Sequence, residues 1–344
     1  MAGKLKAAVL GATGYAGLEL TRILLRHPGV ADPVLMNRDG ASDDLAEVFP
    51  ALAGNGGCPL LPFSFERLDE RGVELLFLAT PHEVSRALVP EALSRGLRVI
   101  DLSGAWRLKE ARNRVVYGFD EGDTAASNFM AKAIYGLPEL NRDCIANASL
   151  VANPGCYATS VILALAPLVT AGLVDRDRGI ISDSKSGVSG AGKEATSRTH
   201  FVSVADNLSA YSVFGHRHTG EILETLHLRD QELMFTPHLL PIPRGILSTI
   251  YVHLSRPMTA SEVEGCFREF YARASWVRIF STPQLPQIQY SLHTNYCDIG
   301  FCLADDQRRL VLVSCIDNLL KGAAGQAVQN MNLMYGWSEE EGLN

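Results

Sequence analysis

The sequence has no long hydrophobic run and no excess of basic residues. Its longest apolar run, residues 161–169, spans nine residues and is interrupted by Pro167, whereas a membrane-spanning helix needs about 20 apolar residues. Lysine and arginine total 31 against 38 aspartate and glutamate residues, a net charge of −7, whereas nucleic-acid-binding proteins normally carry a basic excess. We therefore expect neither a membrane protein nor a nucleic-acid-binding protein.

Closely spaced cysteine pairs are also missing. None of the seven cysteines belongs to a Cys-x-x-Cys pair, so a zinc ribbon or a thioredoxin-type redox pair is not expected. The N-terminal residues lack the basic segment and apolar run of a secretory signal. Free cysteines fit a reducing compartment, and we therefore expect a cytoplasmic protein without a bound metal.

The first half of the chain alternates predicted strands and helices. Its 344 residues are enough for two domains. An alternation of this kind is typical of a parallel, doubly wound sheet. Segment 40–57, which is polar and rich in glycine, is predicted to be a loop with a short helix. The predicted strands are 5–10, 33–36, 73–79 and 97–102, and the predicted helices are 18–25 and 83–95.

The second half has longer extended segments. Strands are predicted over 179–183, 236–255, 277–282 and 296–316, the last of them broken into a hairpin at 305–307. Helices are predicted over 156–171, 318–335 and 259–274, where Thr259 and Glu262 form a capping-box pattern. The predicted fold class is α/β, a doubly wound dinucleotide-binding domain plus an α+β domain with a mixed, antiparallel-rich sheet.

A glycine-rich segment joins the first predicted strand to the first predicted helix. Its glycines occupy positions 1, 4 and 7, and the first interval is one residue longer than in Gly-x-Gly-x-x-Gly. Small residues let the backbone approach a pyrophosphate, which the N–H groups of a helix N-terminus can bind. The alternative is a plain tight turn. The predicted dinucleotide-binding residues are Gly11, Thr13, Gly14, Tyr15, Ala16 and Gly17.

The end of the second predicted strand bears on the choice of cofactor. NAD-binding proteins usually carry an acidic residue there, which binds the ribose 2′-hydroxyl. The sequence has Asn37 and Arg38 at this place, followed by Asp39. Because a guanidinium pairs well with a phosphate, this end favours NADP over NAD. The alternative is that Arg38 is a solvated surface residue.

A Pro154-Gly155 turn places Cys156 at the start of the predicted helix 156–171. A helix N-terminus stabilises a thiolate, and its N–H groups can hold an oxyanion. Cys156 is therefore a candidate nucleophile. The alternative is that it is a small buried residue like most free cysteines, which is what we expect of the other six.

A cluster of polar residues, 216–221, is the candidate source of a proton donor and acceptor. His216 and His218 are two residues apart and would not share a helix face, which disfavours a metal pair. His218 and Glu221 are three apart, so the carboxylate is predicted to orient the imidazole. The alternative is a solvated loop.

Residues 186–194 nearly match the phosphate-binding pattern Gly-x-x-x-x-Gly-Lys-Ser/Thr. Glu194 stands where that pattern needs a Ser or Thr to bind magnesium, and its carboxylate would repel a phosphate. An ATP site is therefore disfavoured, and a flexible glycine-rich loop over a cofactor or substrate is the preferred interpretation.

Several of these segments together resemble the N-acetyl-γ-glutamyl-phosphate reductase family. They are residues 11–17, 153–159, 186–193, 216–221 and 237–246, followed by 317–327, so the resemblance covers essentially the whole chain. Asn-Pro-Gly-Cys-Tyr at 153–157 and His-Arg-His at 216–218 are specific to this family. The glycine-rich loop 11–17 is shared with relatives such as aspartate-semialdehyde dehydrogenase.

The resemblance implies an enzyme of arginine biosynthesis that reduces an acyl phosphate to an aldehyde with NADPH and releases phosphate. Cys156 would form a thioester, and His218 would be the acid/base, with His216 close by and Glu221 orienting it. Arg107, Ser186 and Arg244 are the candidates to hold the phosphate or the carboxylate of the substrate. Further cofactor contacts are predicted at Ser42, Thr80, Pro81, Ser103, Ser186, Gly187, Gly190 and Asn318, the last at the start of the final helix.

The resemblance also implies a Rossmann domain made of residues 1–152 and 318–344, and a catalytic and oligomerisation domain made of 153–317. A homodimer or homotetramer is expected.

One alternative function is the same chemistry on an α-aminoadipyl or carrier-linked acyl phosphate. A second alternative is a non-catalytic, NADP-sensing redox regulator, and Cys156 together with the histidines at 216 and 218 argues against it. A third is a nucleotide kinase, and Glu194 argues against that.

Overall fold

The computed structural model describes residues 3–37, 44–53, 58–119 and 124–344. The strands in these ranges are β1 (Ala7–Leu10), β2 (Val34–Asn37), β3 (Leu60–Pro62), β4 (Leu75–Leu78), β5 (Arg98–Asp101), β6 (Ile134–Tyr135), β7 (Leu150–Ala152), β8 (Ile180–Gly187), β9 (Ser209–Ala210), β10 (Leu233–Leu240), β11 (Ile246–His253), β12 (Val277–Ile279), β13 (Cys297–Leu303) and β14 (Arg309–Ile316). The α-helices are α1 (Tyr15–Leu24), α2 (Leu45–Val48), α3 (Phe65–Glu70), α4 (His82–Ser94), α5 (Ala111–Arg114), α6 (Thr124–Lys132), α7 (Pro138–Ala146), α8 (Cys156–Thr170), α9 (Phe201–Val204), α10 (His218–Leu226), α11 (Ala260–Phe270), α12 (Ile288–Ser291) and α13 (Ala324–Met334).

Two compact units make up the chain. The first contains Met1–Lys109, Asp120–Pro154 and Ala323–Asn344, and the second contains Glu110–Phe119 and Gly155–Gly322. These bounds differ from the expected ones in three respects: the first unit runs on to Pro154, the chain returns to it at Ala323, and the short segment Glu110–Phe119 belongs to the second unit.

The first unit is built on a parallel sheet with the strand order β3-β2-β1-β4-β5-β7-β6. All of its ladders are parallel, which confirms the predicted doubly wound sheet. Its central strands β1 and β4 are buried along their whole length, as expected of a sheet covered on both faces. Strands β3, β6 and β7 were not predicted, because each has only two or three residues, too few to show a period.

The final helix, α13, belongs to this first unit and packs against α1 and α7. Its apolar residues Ala327, Val328 and Met331 join the same core as β1. The prediction that this helix begins at residue 318 is wrong, because residues 318–323 form turns and the helix starts at Ala324.

The second unit is built on a mixed sheet with the order β12-β13-β14-β11-β8-β10-β9. Antiparallel pairing predominates, and β10 with β8 and β12 with β13 are parallel. The predicted hairpin at 296–316 is confirmed as β13 and β14. The single extended segment predicted over 236–255 is wrong: it is two strands, β10 and β11, that lie on opposite sides of β8 and are separated by the turn at 241–245.

Helix α8 is buried along nearly its whole length and packs on β11 and β14. Buried serines tie it to the sheet, since the Ser160 hydroxyl bonds those of Ser248 (2.9 Å) and Ser314 (3.0 Å). These contacts fix the register of the helix, whose first residue is Cys156, against the strands.

Within the described ranges, no helix is both long enough and apolar enough to cross a membrane.

Candidate active site

The glycine-rich loop of the first unit has the shape of a phosphate cradle. Gly11 has φ +92°, and a Cβ there would lie 2.3 Å from the Ala79 carbonyl oxygen. A Cβ at Gly17 would lie 2.1 Å from the Gly11 carbonyl oxygen. Gly14 is the N-cap residue of α1, and no side chain caps this helix. The backbone N–H groups of its first turn are therefore available to a phosphate. Thr13, Tyr15 and Ala16 lie beside these groups.

Other predicted cofactor residues of this unit lie at strand ends. The Thr80 hydroxyl follows β4; it is buried and has no hydrogen-bond partner among the described residues, so it is suited to bind a polar ligand. Pro81 is the residue before α4. Ser103 follows β5, and its hydroxyl bonds Asp101 Oδ2 (2.8 Å). The predicted contacts Arg38 and Ser42 lie outside the described residues.

Arg107, a predicted substrate contact, is buried in the first unit. Its guanidinium donates to the carbonyl oxygens of Asn153 (Nε, 2.7 Å) and Leu102 (Nη2, 2.7 Å). These carbonyls follow the adjacent strands β7 and β5. Arg107 therefore joins the two strand ends, and its contact with substrate stays a prediction.

Cys156 is the first residue of α8, as predicted. It is partly exposed and is not in a disulfide. The residue before it, Gly155, has an extended backbone (φ −73°, ψ 148°), and its N–H donates to Glu221 Oε2 at 2.9 Å. The buried carboxylate of Glu221 therefore anchors the turn that carries the thiol.

His218 is the first residue of α10 and is buried against that same turn. A Cβ at Gly155 would lie 2.4 Å from His218 Nε2, so only glycine permits this approach. Glu221 Oε1 is 3.9 Å from Nε2, an ion-pair distance rather than a hydrogen bond. The structure thus brings together Cys156, His218 and Glu221, which the sequence separates by about 60 residues.

His216 supports His218. Its Nδ1 accepts the backbone N–H of His218 (3.1 Å), and its Nε2 lies 3.4 Å from the Tyr211 hydroxyl. Because Nδ1 is an acceptor, the neutral ring carries its proton on Nε2. Burial, with Arg217 nearby, lowers the pKa of His216 to about 4. His216 is therefore neutral at physiological pH and holds the backbone of its neighbour.

Two tyrosines beside this cluster were missed by the sequence analysis. Tyr157 donates from its hydroxyl to the His238 carbonyl oxygen (2.7 Å), and its ring meets His216 edge-on, with the ring centroids 5.5 Å apart. Burial raises the pKa of Tyr157 and raises that of Tyr211 to about 12. Both hydroxyls therefore stay protonated, and the position of Tyr157 right after Cys156 was the available signal.

The glycine-rich loop after β8 lies in the second unit. Ser186 is buried, and its hydroxyl donates to the Gly187 carbonyl oxygen (2.9 Å). A Cβ at Gly187 would lie 2.6 Å from the Arg244 backbone nitrogen, and one at Gly190 would lie 3.0 Å from Ser186 Oγ. The loop continues as a 3₁₀ turn, Val188–Ala191, rather than as the α-helix that follows an ATP-binding loop.

Asn318 joins this loop to the turn after β10. Its Oδ1 accepts the Gly245 N–H (2.7 Å), and its Nδ2 donates to Ser189 Oγ (3.0 Å). Its predicted contact with the cofactor stays a prediction. Nearby, Arg244 donates to Asp317 (3.0 Å from Nη2), a buried residue to which the sequence analysis gave no role.

No three His, Cys, Asp or Glu side chains are grouped as metal ligands would be in the part of the chain that the structure describes.

Family models match both halves of the chain. The semialdehyde dehydrogenase NAD-binding domain matches residues 6–148, and the semialdehyde dehydrogenase dimerisation domain matches residues 156–318. The crystal structure of aspartate semialdehyde dehydrogenase II from Vibrio cholerae, complexed with ASA, superposes with a TM-score of 0.74 at 19% identity, over 97% of this chain and 99% of that one. The protein is therefore an oxidoreductase with the semialdehyde dehydrogenase fold.

Similarity to individual relatives narrows this class. The N-acetyl-gamma-glutamyl-phosphate reductase of Desulfotalea psychrophila is 46% identical over 343 residues, 98% of each chain. The one from Methanocaldococcus jannaschii is 43% identical over 339 residues, 98% of this chain and 97% of the relative. The chain belongs to the N-acetyl-γ-glutamyl-phosphate reductase family.

Proposed function

We propose that the protein reduces N-acetyl-γ-glutamyl phosphate to N-acetylglutamate 5-semialdehyde with NADPH, releasing phosphate, in arginine biosynthesis. One observation carries the proposal beyond family membership. A partly exposed cysteine starts a buried helix, and a histidine ring lies against the glycine before it. This arrangement suits a covalent acyl-enzyme, because nucleophile and proton carrier lie on one turn.

The cofactor is proposed to be bound by the loop at Gly11–Gly17, whose close backbone packing fits a pyrophosphate, and by the buried Thr80 hydroxyl. When bound, NADPH supplies the hydride for the reduction. The choice of NADP rests on the sequence Asn37-Arg38, which places a guanidinium directly after the strand and no carboxylate at its last residue, although Asp39 follows. A crystal structure of aspartate semialdehyde dehydrogenase from Candida albicans with NADP has the same fold, with a TM-score of 0.68 at 16% identity, over 97% of this chain and 99% of that one.

Cys156 begins the reaction. Its thiolate sulfur attacks the carbonyl carbon of the acyl phosphate, the bond from that carbon to the phosphate oxygen breaks, and phosphate leaves with the bonding electrons. The N–H groups at the start of α8 are suited to stabilise the oxyanion in between. The product of this step is a thioester on Cys156, a better hydride acceptor than a carboxylate.

His218 handles the proton. It takes the thiol proton of Cys156 and passes it to the departing phosphate. After the hydride has added to the thioester carbon, the resulting oxyanion re-forms the C=O bond, the C–S bond breaks, and the aldehyde leaves as the Cys156 thiolate forms again. Glu221, whose carboxylate oxygen lies 3.9 Å from Nε2, stabilises the imidazolium that this transfer creates. His216 keeps the backbone of His218 in place.

The substrate is anionic at both ends, and Arg244 is the proposed contact of its phosphate or carboxylate in the second unit. Ser186 and Arg107 are proposed to assist. The matching family model is named for dimerisation, and we propose a homodimer or homotetramer in the cytoplasm.

The test runs the reaction in reverse, as phosphate-dependent reduction of NADP by N-acetylglutamate semialdehyde. Wild type should be active, and Cys156→Ala inactive. Cys302→Ser is the matched control, since Cys302 is an exposed free thiol, and it should keep wild-type rates. Activity that survives Cys156→Ala would exclude this nucleophile.

Substrate and cofactor choice need separate measurements. Wild type that reduces NADP only with an aminoadipate-derived or carrier-linked aldehyde would overturn the proposed substrate. The ratio of kcat/KM for NADP to that for NAD should fall towards one in Arg38→Ala. An unchanged ratio would refute the role of Arg38.

A further inference from the structure

The carboxylate of Asp317 lies where three segments of the second unit meet. Asp317 is fully buried. Its Oδ1 accepts from Arg244 Nη2 (3.0 Å) and Nε (3.3 Å), and also from the backbone N–H groups of Leu319 (2.9 Å) and Leu320 (3.2 Å). Its Oδ2 accepts the backbone N–H of His293 (2.9 Å). One side chain therefore holds the turn after β10, the turn after β14 and the segment after α12.

The turn that Asp317 organises reaches the candidate nucleophile. The Asp317 carbonyl oxygen accepts the N–H of Gly322 (3.0 Å), which closes the turn. A Cβ at Gly322 would lie 2.7 Å from Cys156 Cβ, so the turn lies directly against that residue. The same residue that fixes the guanidinium of Arg244 thus also fixes backbone packed on Cys156.

The close approach of Arg244 is built into the neighbouring loop. Its backbone nitrogen would clash with any Cβ at Gly187, and its side chain is 14% exposed while Asp317 is 0% exposed. A guanidinium that is held from behind by a buried carboxylate and still reaches solvent is suited to bind an anion in a fixed direction.

We propose that Asp317 is a positioning residue that sets the distance and direction between the anion-binding guanidinium of Arg244 and the Cys156 thiol. This inference rests on the proposed function, because it assigns Arg244 to an anionic group of the substrate. That group is the transferred phosphate or the α-carboxylate. Asp317 touches neither, and acts through Arg244 and the turn 317–322.

Asp317→Asn tests the proposal, because it removes the charge and keeps one oxygen as an acceptor. The KM for the anion that Arg244 binds should rise about 10- to 100-fold, the effect of a misplaced binding group, with a smaller change in kcat. Phosphate and N-acetylglutamate semialdehyde are varied separately in the phosphate-dependent assay. A rise for phosphate identifies the phosphoryl site, and a rise for the aldehyde identifies the carboxylate site.

The matched control is Asp298→Asn. Asp298 is equally buried in the same unit and binds Arg278 (2.6 and 2.8 Å) and the Ser291 hydroxyl (2.7 Å). It should lose thermal stability and keep both KM values. If Asp317→Asn behaves in the same way, the role of Asp317 is structural only and the proposal is overturned.

A double-mutant cycle with Arg244→Gln separates action through Arg244 from independent effects. The KM of the double variant should be no higher than that of Arg244→Gln alone, and a KM raised by the product of the two single effects would overturn the proposal.

If Asp317→Asn does not fold, Arg244→Lys is measured instead. A lysine keeps the charge but not the planar fork, so its KM should rise nearly as far as in Arg244→Gln; a wild-type KM would refute the proposal.

A separate measurement keeps this inference distinct from the proposed function. Inorganic phosphate or N-acetylglutamate should protect Cys156 from alkylation by iodoacetamide, and Asp317→Asn should need about 10 times more of the protecting anion. If the wild-type protein is inactive in the phosphate-dependent assay, only the proposed function is refuted. If the anion protects Cys156 from alkylation equally in wild type and in Asp317→Asn, only the inference about Asp317 is refuted.

Discussion

Replacing Gly155 by alanine should disable the enzyme through His218 while leaving the backbone unstrained. Gly155 has φ −73° and ψ 148°, a conformation that any residue adopts. The added Cβ would lie 2.4 Å from His218 Nε2 and 2.6 Å from Cδ2 and Cε1. The three atoms nearest to the added Cβ all belong to the His218 ring, so the substitution should push the imidazole away from the turn that carries Cys156.

The size of the effect follows from the displacement. Ordinary contact begins at 3.4 Å, so the ring has to move about 1 Å. A displacement of this size in a reacting group costs about 100-fold in rate, and overpacking costs about 1–3 kcal/mol in the free energy of unfolding. We expect kcat to fall about 100-fold, with a folded protein and a moderately lower Tm.

The assay is steady-state kinetics beside thermal unfolding. Gly265→Ala is the control, because Gly265 lies in helix α11 and a Cβ there meets nothing within 4 Å; it should keep wild-type kcat. A Gly155→Ala variant that folds and retains kcat within about threefold would show that the position of His218 does not matter, contrary to the 100-fold loss expected of a displaced proton carrier.

Three other predictions concern stability. The pKa of His216 is lowered to about 4 in the folded protein, so the unfolded chain binds more protons between pH 6.5 and 4. Unfolding free energy should therefore fall by about 3 kcal/mol as pH drops through that range, and less in His216→Asn, as urea denaturation at several pH values will show. Gly11→Ala, with φ +92° and a Cβ 2.3 Å from a carbonyl oxygen, should cost about 2 kcal/mol or more, whereas Gly14→Ala should keep the wild-type Tm. Thr259→Ala removes the cap shared with Glu262 and should cost about 1 kcal/mol without changing kcat; a lower kcat would contradict a purely structural role.

Patterns within one segment predicted much of the fold. The apolar runs that became β1 and β4 and the capping box at Thr259 all depend on neighbours in the sequence, and the structure has them where they were expected. The start of α13 was mistaken because residues 318–323 carry no helix breaker except Gly322. The Asp317 carboxylate accepts the N–H groups of Leu319 and Leu320 and its carbonyl oxygen accepts that of Gly322, so the segment closes into a turn before the helix begins.

In the candidate active site, too, features within one short motif were predictable, and contacts between distant segments were not. Cys156 and the pair of His218 and Glu221 were predictable, since each lies within a motif of a few residues. The hydrogen bond from the Gly155 N–H to Glu221 could not be predicted, because periodicity and spacing do not indicate which segment a buried carboxylate will contact. Such a carboxylate needs partners to offset the loss of hydration, and backbone N–H groups of distant turns supply them for both Glu221 and Asp317. Buried acids that no local pattern explains are therefore the residues that connect one motif of this enzyme to the next, and substitutions that keep their shape but remove their charge will disturb catalysis more than their distance from Cys156 in the sequence suggests.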